Sequence, residues 1–435
     1  MRAVVVALGK IGLPLAAHIA RAGHEVVGCD IDPRVVALVN DAREPFPGEA
    51  GLADALAELV PAGRLRATGD TTAAVAAGAD LVVAVPPLMV DEHARPDYGV
   101  LDAVVADIGA GLQHGTVVSI ETTLPVGTTR GRVAAQLAER SGLRPEEDFV
   151  TVHSPERVYS GRIFADLETY PKLVGGLSAE GERRAVELYR SFIGVEVRSM
   201  GSAEAAEMTK LAETTYRDLN IALANEFARF ADRLGIDVER VIDAANSQPF
   251  SHIHRPGIGV GGHCIPVYPR FYLDGDPEAT LPAASRRVND AMPAYAVEML
   301  ASELEAGGAA RAAGGAPDRA AGRARVLILG VTYRGAVKEP AFSAAFAVRD
   351  ELVRRGMAPV ASDPLYSADE LRALGFEPWD GSALDAAILQ ADHPEFSSLA
   401  PDDLPGVRVL LDGRGALDPA PWRAAGVVVR RIGRP

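Results

Sequence analysis

The apolar run Ala3 to Ala7 breaks into Leu8-Gly9-Lys10-Ile11-Gly12, and a helical stretch starts at once from Leu13. Further strand-like runs follow at Glu25 to Cys29, Asp80 to Val85, Thr116 to Glu121 and Phe149 to Val152, separated by helical patterns. Strands alternating with helices predict a doubly wound, parallel α/β sheet of Rossmann type. The first turn also carries chemistry. Gly9 lets a backbone amide approach a pyrophosphate, Gly12 lets helix and strand pack closely, and the helix N-terminus holds negative charge. Asp30, eighteen residues after Gly12, ends the second strand. Its carboxylate would accept hydrogen bonds from a ribose diol and repel a 2′-phosphate, which favours NAD over NADP. Ala7 stands where this fingerprint has its first glycine. The expected cofactor set is Gly9, Lys10, Ile11, Gly12, Asp30, Arg34, Val85, Pro86 and Thr122. Arg34 reads equally well as an adenosine contact or as a solvated residue of a helix start.

From Ser202 to Leu234 the Pro and Gly punctuation stops, and Met208, Leu211, Tyr216, Leu219, Leu223, Phe227 and Phe230 recur at helical spacing. One long helix is expected, with further helices to about Ala306. Residues 307–324 are rich in Ala, Gly and Arg without periodicity and read as a linker or loop. A second alternation follows: strand Arg325 to Val331, helix Ser343 to Gly356, strands Ala358 to Asp363 and Val407 to Asp412. The expected architecture is thus two Rossmann-like parallel-sheet domains, 1–200 and 325–435, joined by a central helical domain over 201–306. A length of 435 residues agrees with two or three cores.

Charge and cysteine usage narrow the partners. The net charge of −15 disfavours nucleic acid or an anionic membrane as a general partner, so a bound anion needs a local cluster of Lys and Arg. Cys29 and Cys264 are far apart and form no disulfide framework, and a reducing cytoplasm suits a lone reactive thiol. Gly9, Lys10, Gly12, Pro14 and His18 interrupt the opening apolar run, so it is not read as a secretory signal. No stretch reaches ~18 apolar residues, so no membrane-spanning helix is expected. Cys29, inside a strand, reads as a small buried hydrophobe.

The most informative loop is Gly257-Ile258-Gly259-Val260-Gly261-Gly262-His263-Cys264-Ile265-Pro266. Four glycines expose backbone amides before a thiol, a setting that binds anions and stabilises a thiolate; the competing reading is a flexible loop with a buried Cys. On the long helix, Lys210, Thr214 and Arg217 share a face, either as a functional group of Lys, hydroxyl and guanidinium or as a solvated surface.

Six ordered segments give the chain a family resemblance: ALGKIGLPLA, Glu121 to Thr129, Ser154 to Val158, Lys210 to Glu226, Ile253 to Pro266 and Leu329 to Arg334. It resembles the UDP-glucose/GDP-mannose dehydrogenase family, especially the branch acting on UDP-N-acetylhexosamines such as UDP-N-acetylmannosamine. The resemblance implies an NAD-dependent oxidoreductase with a nucleotide-sugar substrate, a cytoplasmic homodimer built on the central helix, and a place in polysaccharide biosynthesis; no metal is implied. The implied reaction is a two-step, four-electron oxidation of the sugar C6 alcohol to a carboxylate, consuming two NAD and one water. An aldehyde gives up a second hydride only once a nucleophile has made its carbon tetrahedral. Cys264 would add there, forming a thiohemiacetal and then a thioester. Lys210 would stabilise oxyanions. Glu156 would orient or deprotonate the water, with Thr123 holding it. Arg255 would meet the diphosphate, and Gly261, Tyr333 and Arg334 join it in the substrate set.

Three positions depart from the family pattern. Thr214 and Tyr268 stand where the family has Asn and Asp, and Ala341-Phe342-Ser343 replaces its Arg-Glu-Ser. A threonine hydroxyl still donates to an oxyanion, whereas a phenol with a pKa of ~10 is a poor base. These changes imply an altered substrate or proton relay, and they keep a rival open: a homologue that performs only the two-electron oxidation, or that only binds NAD or a nucleotide sugar. A 6-phosphogluconate or 3-hydroxyacid type dehydrogenase is a further rival, but it needs neither the thiol nor a second Rossmann-like domain.

Overall fold

The structure, a computed structural model, describes residues 1–159, 161–313 and 323–434. The chain divides into two compact units, Met1–Glu213 with Arg270–Pro277, and Thr214–Pro269 with Glu278–Pro435.

The first unit is built on an eight-stranded sheet. From one edge its strands are Val197–Ser199, Lys172–Gly176, Val150–His153, Val117–Ile120, Leu81–Ala84, Arg2–Val6, Glu25–Cys29 and Leu65–Thr68. The central strands are buried on both faces, as helices covering both sides of a sheet require. Leu13, Ile19, Leu56 and Tyr189 pack against Val5, Val83 and Val152 in one core. One joint departs from the parallel pattern: Lys172–Gly176 runs antiparallel to Val150–His153, with Val152 opposite Gly176 and His153 opposite Gly175. The sequence did not reveal this strand, because Lys172 and two glycines dilute its β-branched signal.

The long helix is continuous over Ala203–Leu234, passing from the first unit into the second. Among the helices after it, Met292–Ala313 extends through 307–313. That corrects the expected linker over 307–324, whose run of Ala residues favours a helix once one has started; residues 314–322 lie outside the described residues.

The second unit holds a five-stranded, wholly parallel sheet in the order Ala358–Ser362, Arg325–Leu329, Ala386–Leu389, Val409–Asp412, Val428–Arg431. Ala224, Ala228, Met292, Val297 and Leu300 share one core with Val326, Ile328, Ile388 and Leu411. From Thr214 onward, apart from Arg270–Pro277, the residues that the sequence groups as a middle domain therefore belong to the unit of the second sheet. Among the described residues, no helix is long and apolar enough to cross a membrane.

Candidate active site

In the first unit, Ala7 turns the chain from strand to helix with φ of 74°, a left-handed conformation that favours glycine. Helix Gly12–Arg21 follows, and a Cβ on Gly12 would lie 2.0 Å from the Ala7 carbonyl oxygen. Nothing larger than glycine fits there. A Cβ on Gly9 would meet no atom within 4 Å, so the turn faces open space at the helix N-terminus, as a dinucleotide pyrophosphate needs. Lys10 is exposed and Ile11 half-buried beside it. Asp30 braces the turn: its Oδ2 accepts from the Leu8 amide at 2.8 Å and its Oδ1 from the Asp32 amide at 2.9 Å, yet the side chain stays partly exposed. Arg34 is exposed and paired with Asp32 at 2.8 Å. Thr122 donates to the Pro86 carbonyl at 2.6 Å, joining two expected cofactor residues, while Val85 is half-buried next to them. Cys29 is buried, and burial pushes its thiol up to about 11.

At the carboxyl ends of the neighbouring strands, Glu121 follows Val117–Ile120 and Glu156 follows Val150–His153. Because Lys172–Gly176 runs antiparallel to the latter, its first residue arrives at this same end. Lys172 Nζ donates to Glu121 Oε2 at 2.6 Å and to Glu156 Oε2 at 2.7 Å. The Arg157 amide donates to Glu156 Oε1 at 2.8 Å, and the Tyr189 hydroxyl donates to Glu121 Oε1. Burial raises Glu121 above the usual carboxylate range, with Lys172 offsetting only part of it. Burial acts the same way on Glu156, but the charge and hydrogen bond of Lys172 together with the Arg157 amide hold it below its ordinary value. His153, fully buried behind, is pushed down to about 3 by burial first and by Lys172 second. Thr123 is buried two residues after Glu121, and Lys210 is half-buried on the long helix of the same unit. Sequence reasoning missed Lys172 and the role of Glu121; the signal was a lysine opening an otherwise apolar run, Lys172-Leu173-Val174.

The second unit holds the thiol loop. Cys264 is exposed, and its carbonyl accepts from the Tyr268 amide at 2.9 Å where helix Tyr268–Gly275 begins. Asn220, Asn225 and Arg286 pin the loop. Asn220 accepts from the His254 amide at 2.8 Å and donates to the His252 carbonyl at 2.7 Å; Asn225 accepts from the Gly257 amide at 3.0 Å. Arg286, paired with buried Asp218 at 2.6 Å, reaches the Ile265 carbonyl at 3.4 Å. The glycines are close-packed: a Cβ on Gly261 would come within 2.6 Å of Tyr333 Cβ, and the Gly262 amide donates to the Ala341 carbonyl at 2.9 Å. Gly261 and Tyr333 therefore meet, and the Arg334 guanidinium lies 5.8 Å from the Tyr333 ring. Arg255 is exposed and ion-paired with Asp243. Thr214 is buried and Arg217 exposed. Ser343 caps helix Ala344–Arg354, accepting from the Ala345 amide, and Phe342 before it has φ of 52°.

Residues 1–193 match the NAD binding domain, and 204–291 the central domain, of the UDP-glucose/GDP-mannose dehydrogenase family. The chain is 34% identical to UDP-N-acetyl-D-mannosamine dehydrogenase of Pyrococcus horikoshii over 100% of its own length and 99% of that protein. It is 32% identical to NDP-N-acetyl-D-galactosaminuronic acid dehydrogenase of Ralstonia solanacearum, covering 94% of this chain and 95% of that one. The solved UDP-D-ManNAc dehydrogenase from P. horikoshii superposes with a TM-score of 0.87 at 32% identity, covering 100% and 99% of the two chains.

Proposed function

As the chain belongs to the UDP-glucose/GDP-mannose dehydrogenase family, an NAD-dependent enzyme family, we propose that it oxidises the C6 alcohol of a UDP-N-acetylhexosamine to the uronate through Cys264. The observation that carries this reading is an exposed thiol closing a glycine loop fixed by Asn220, Asn225 and Arg286. NAD, when bound at the Gly9 to Gly12 turn, supplies the hydride acceptor for each of the two oxidations.

The chain's own residues perform the rest. After the first oxidation the Cys264 thiolate adds to the aldehyde carbon, forming a C–S bond and an alkoxide that Lys210 stabilises by charge. Loss of the second hydride leaves a thioester on Cys264. Glu156 accepts a proton from the attacking water, the C–S bond breaks, and carboxylate and thiol result, with Thr123 holding the water. Arg255, Gly261, Tyr333 and Arg334 are proposed to grip the nucleotide sugar, Arg255 by exchanging its Asp243 partner for the diphosphate. Thr214 and Tyr268 serve in place of an amide and a carboxylate. A reducing cytoplasm keeps the thiol free.

The measurement is NADH formed per UDP-sugar, with mass spectrometry of the product. Two NADH and a uronate are expected; one NADH points to a two-electron enzyme, and none to a binding protein. Cys264→Ser is expected to lower uronate output by at least about a hundredfold, since an alcohol is a far weaker nucleophile than a thiolate. Undiminished output would end the covalent scheme.

A homodimer through the long helix is part of the same proposal. Tyr216, Leu223, Phe227, Phe230 and Leu234 are exposed at intervals of seven, four, three and four residues, one stripe of a helix face. Sedimentation at twice the chain mass, reduced to one by Phe230→Glu, is the expected result.

A further inference from the structure

Resting on the role of Glu156 proposed above, we propose that Lys172 is a positioning residue of the reaction: its ammonium fixes the Glu156 carboxylate and keeps it ionised as the proton acceptor. The antiparallel strand that begins at Lys172 has a purpose on this view, because a parallel one would carry its first residue to the opposite end of the sheet. The Lys172 side chain is 4% exposed, and its ammonium is shared by two carboxylates at 2.6 and 2.7 Å. Glu121 is the anchor. Its second oxygen takes the Tyr189 hydroxyl, which lies 2.7 Å from Ser119 Oγ, so Glu121 is held on both sides and Lys172 is held by Glu121.

Glu156 differs from its partner in one respect. Glu121 is closed in at 1% exposure, whereas Glu156 is 11% exposed at its side chain and lines a cavity of ≈ 10 Å³ with Pro155, Arg157 and Lys172, room for about one water. The carboxylate that borders the cavity is the one in position to exchange a proton; the enclosed one balances charge. Every group facing Glu156 fits this assignment. Arg157 is turned to Glu213 of the long helix at 2.7 Å, Asp166 across the cavity is paired with Arg162 at 2.8 Å, and Tyr170 completes that wall. His153 behind the cluster stays neutral next to the ammonium. Lys172 is thus a cation in direct hydrogen-bond contact with Glu156.

The test is the pH dependence of kcat for uronate formation in full-length Lys172→Met, Lys172→Arg and Glu156→Gln. Removing a cation in contact with a carboxylate raises the pH at which that carboxylate takes a proton. The acidic limb is thus expected to move up by about 1–3 pH units in Lys172→Met, to return most of the way in Lys172→Arg, and to leave the KM for NAD unchanged. Since an unpaired buried charge destabilises a fold, Lys172→Met with Glu121→Gln provides a second variant with one buried carboxylate fewer, and a smaller upward shift is expected in it, because the lost carboxylate offsets part of the lost cation. An unmoved limb in both, with Glu156→Gln inactive, overturns the inference and leaves the function standing. Full activity in Glu156→Gln overturns the role of Glu156 and this inference with it.

Discussion

The two sheets repeat one local device and put it to different uses. In each, the first strand ends in a left-handed residue, Ala7 with φ of 74° in one and Gly330 with φ of 88° in the other. In each, an aspartate at the end of the adjacent strand accepts from the turn: Asp30 from the Leu8 amide at 2.8 Å, Asp363 from the Val331 amide at 2.7 Å. The difference lies in what comes next. After Ala7 the helix starts within five residues and Asp30 keeps a solvent-facing edge. After Gly330 the helix is delayed to Ala344, and Asp363 is buried with His393 Nε2 at 3.1 Å. One turn leaves a helix N-terminus facing open space and a carboxylate with a solvent-facing edge, while the other buries its carboxylate against a histidine. A shared fold therefore does not imply a shared ligand logic.

That contrast can be broken by substitutions in the two turns. The largest effect is expected from Gly12→Ala, whose methyl would press on the Ala7 carbonyl at 2.0 Å and cost about 3 kcal/mol, the upper end for overpacking. NAD titration should show at least a tenfold loss of affinity. Gly330→Ala would meet Ala391 Cβ at 2.5 Å in a left-handed turn, at a similar cost of about 2–3 kcal/mol. Its NAD affinity should nevertheless stay close to wild type. Equal loss of NAD binding in both variants would show that the two turns are not functionally distinct.

The smallest effect sharpens the same comparison. Ala7→Gly relieves a left-handed alanine, worth roughly 1–2 kcal/mol, but adds about 0.4–1 kcal/mol of unfolded-chain entropy. A net gain of about 0.5 kcal/mol is expected, seen as a rise of about 1–2 °C in the Tm of the NAD-binding unit. A fall in Tm would mean that the Ala7 methyl makes packing contacts worth more than the strain.

Legibility in the sequence followed the range of the interaction. The turn from Gly9 to Gly12, Asp30, the strand Glu25–Cys29 and the helix Ala203–Leu234 were all readable, the last to within a residue, because glycine freedom and apolar period act over a few neighbours. Lys172 was not, since its strand resembles a loop until a partner supplies the hydrogen bonds. Nor were Asn220, Asn225 and Arg286, which read as polar helix residues and become anchors only when the loop from His252 to Ile265 lies against them.

By itself, then, the sequence determined the strand-and-helix pattern, the dinucleotide turn and the presence of one thiol in a glycine loop. Tertiary structure alone decided the direction of the strand Lys172–Gly176, the pairing of one buried ammonium with two carboxylates, and which aspartate stays partly exposed. The physical reason is that polar pairs between distant segments leave no period along the chain. Their geometry is set by which backbone ends the packing of the core brings together.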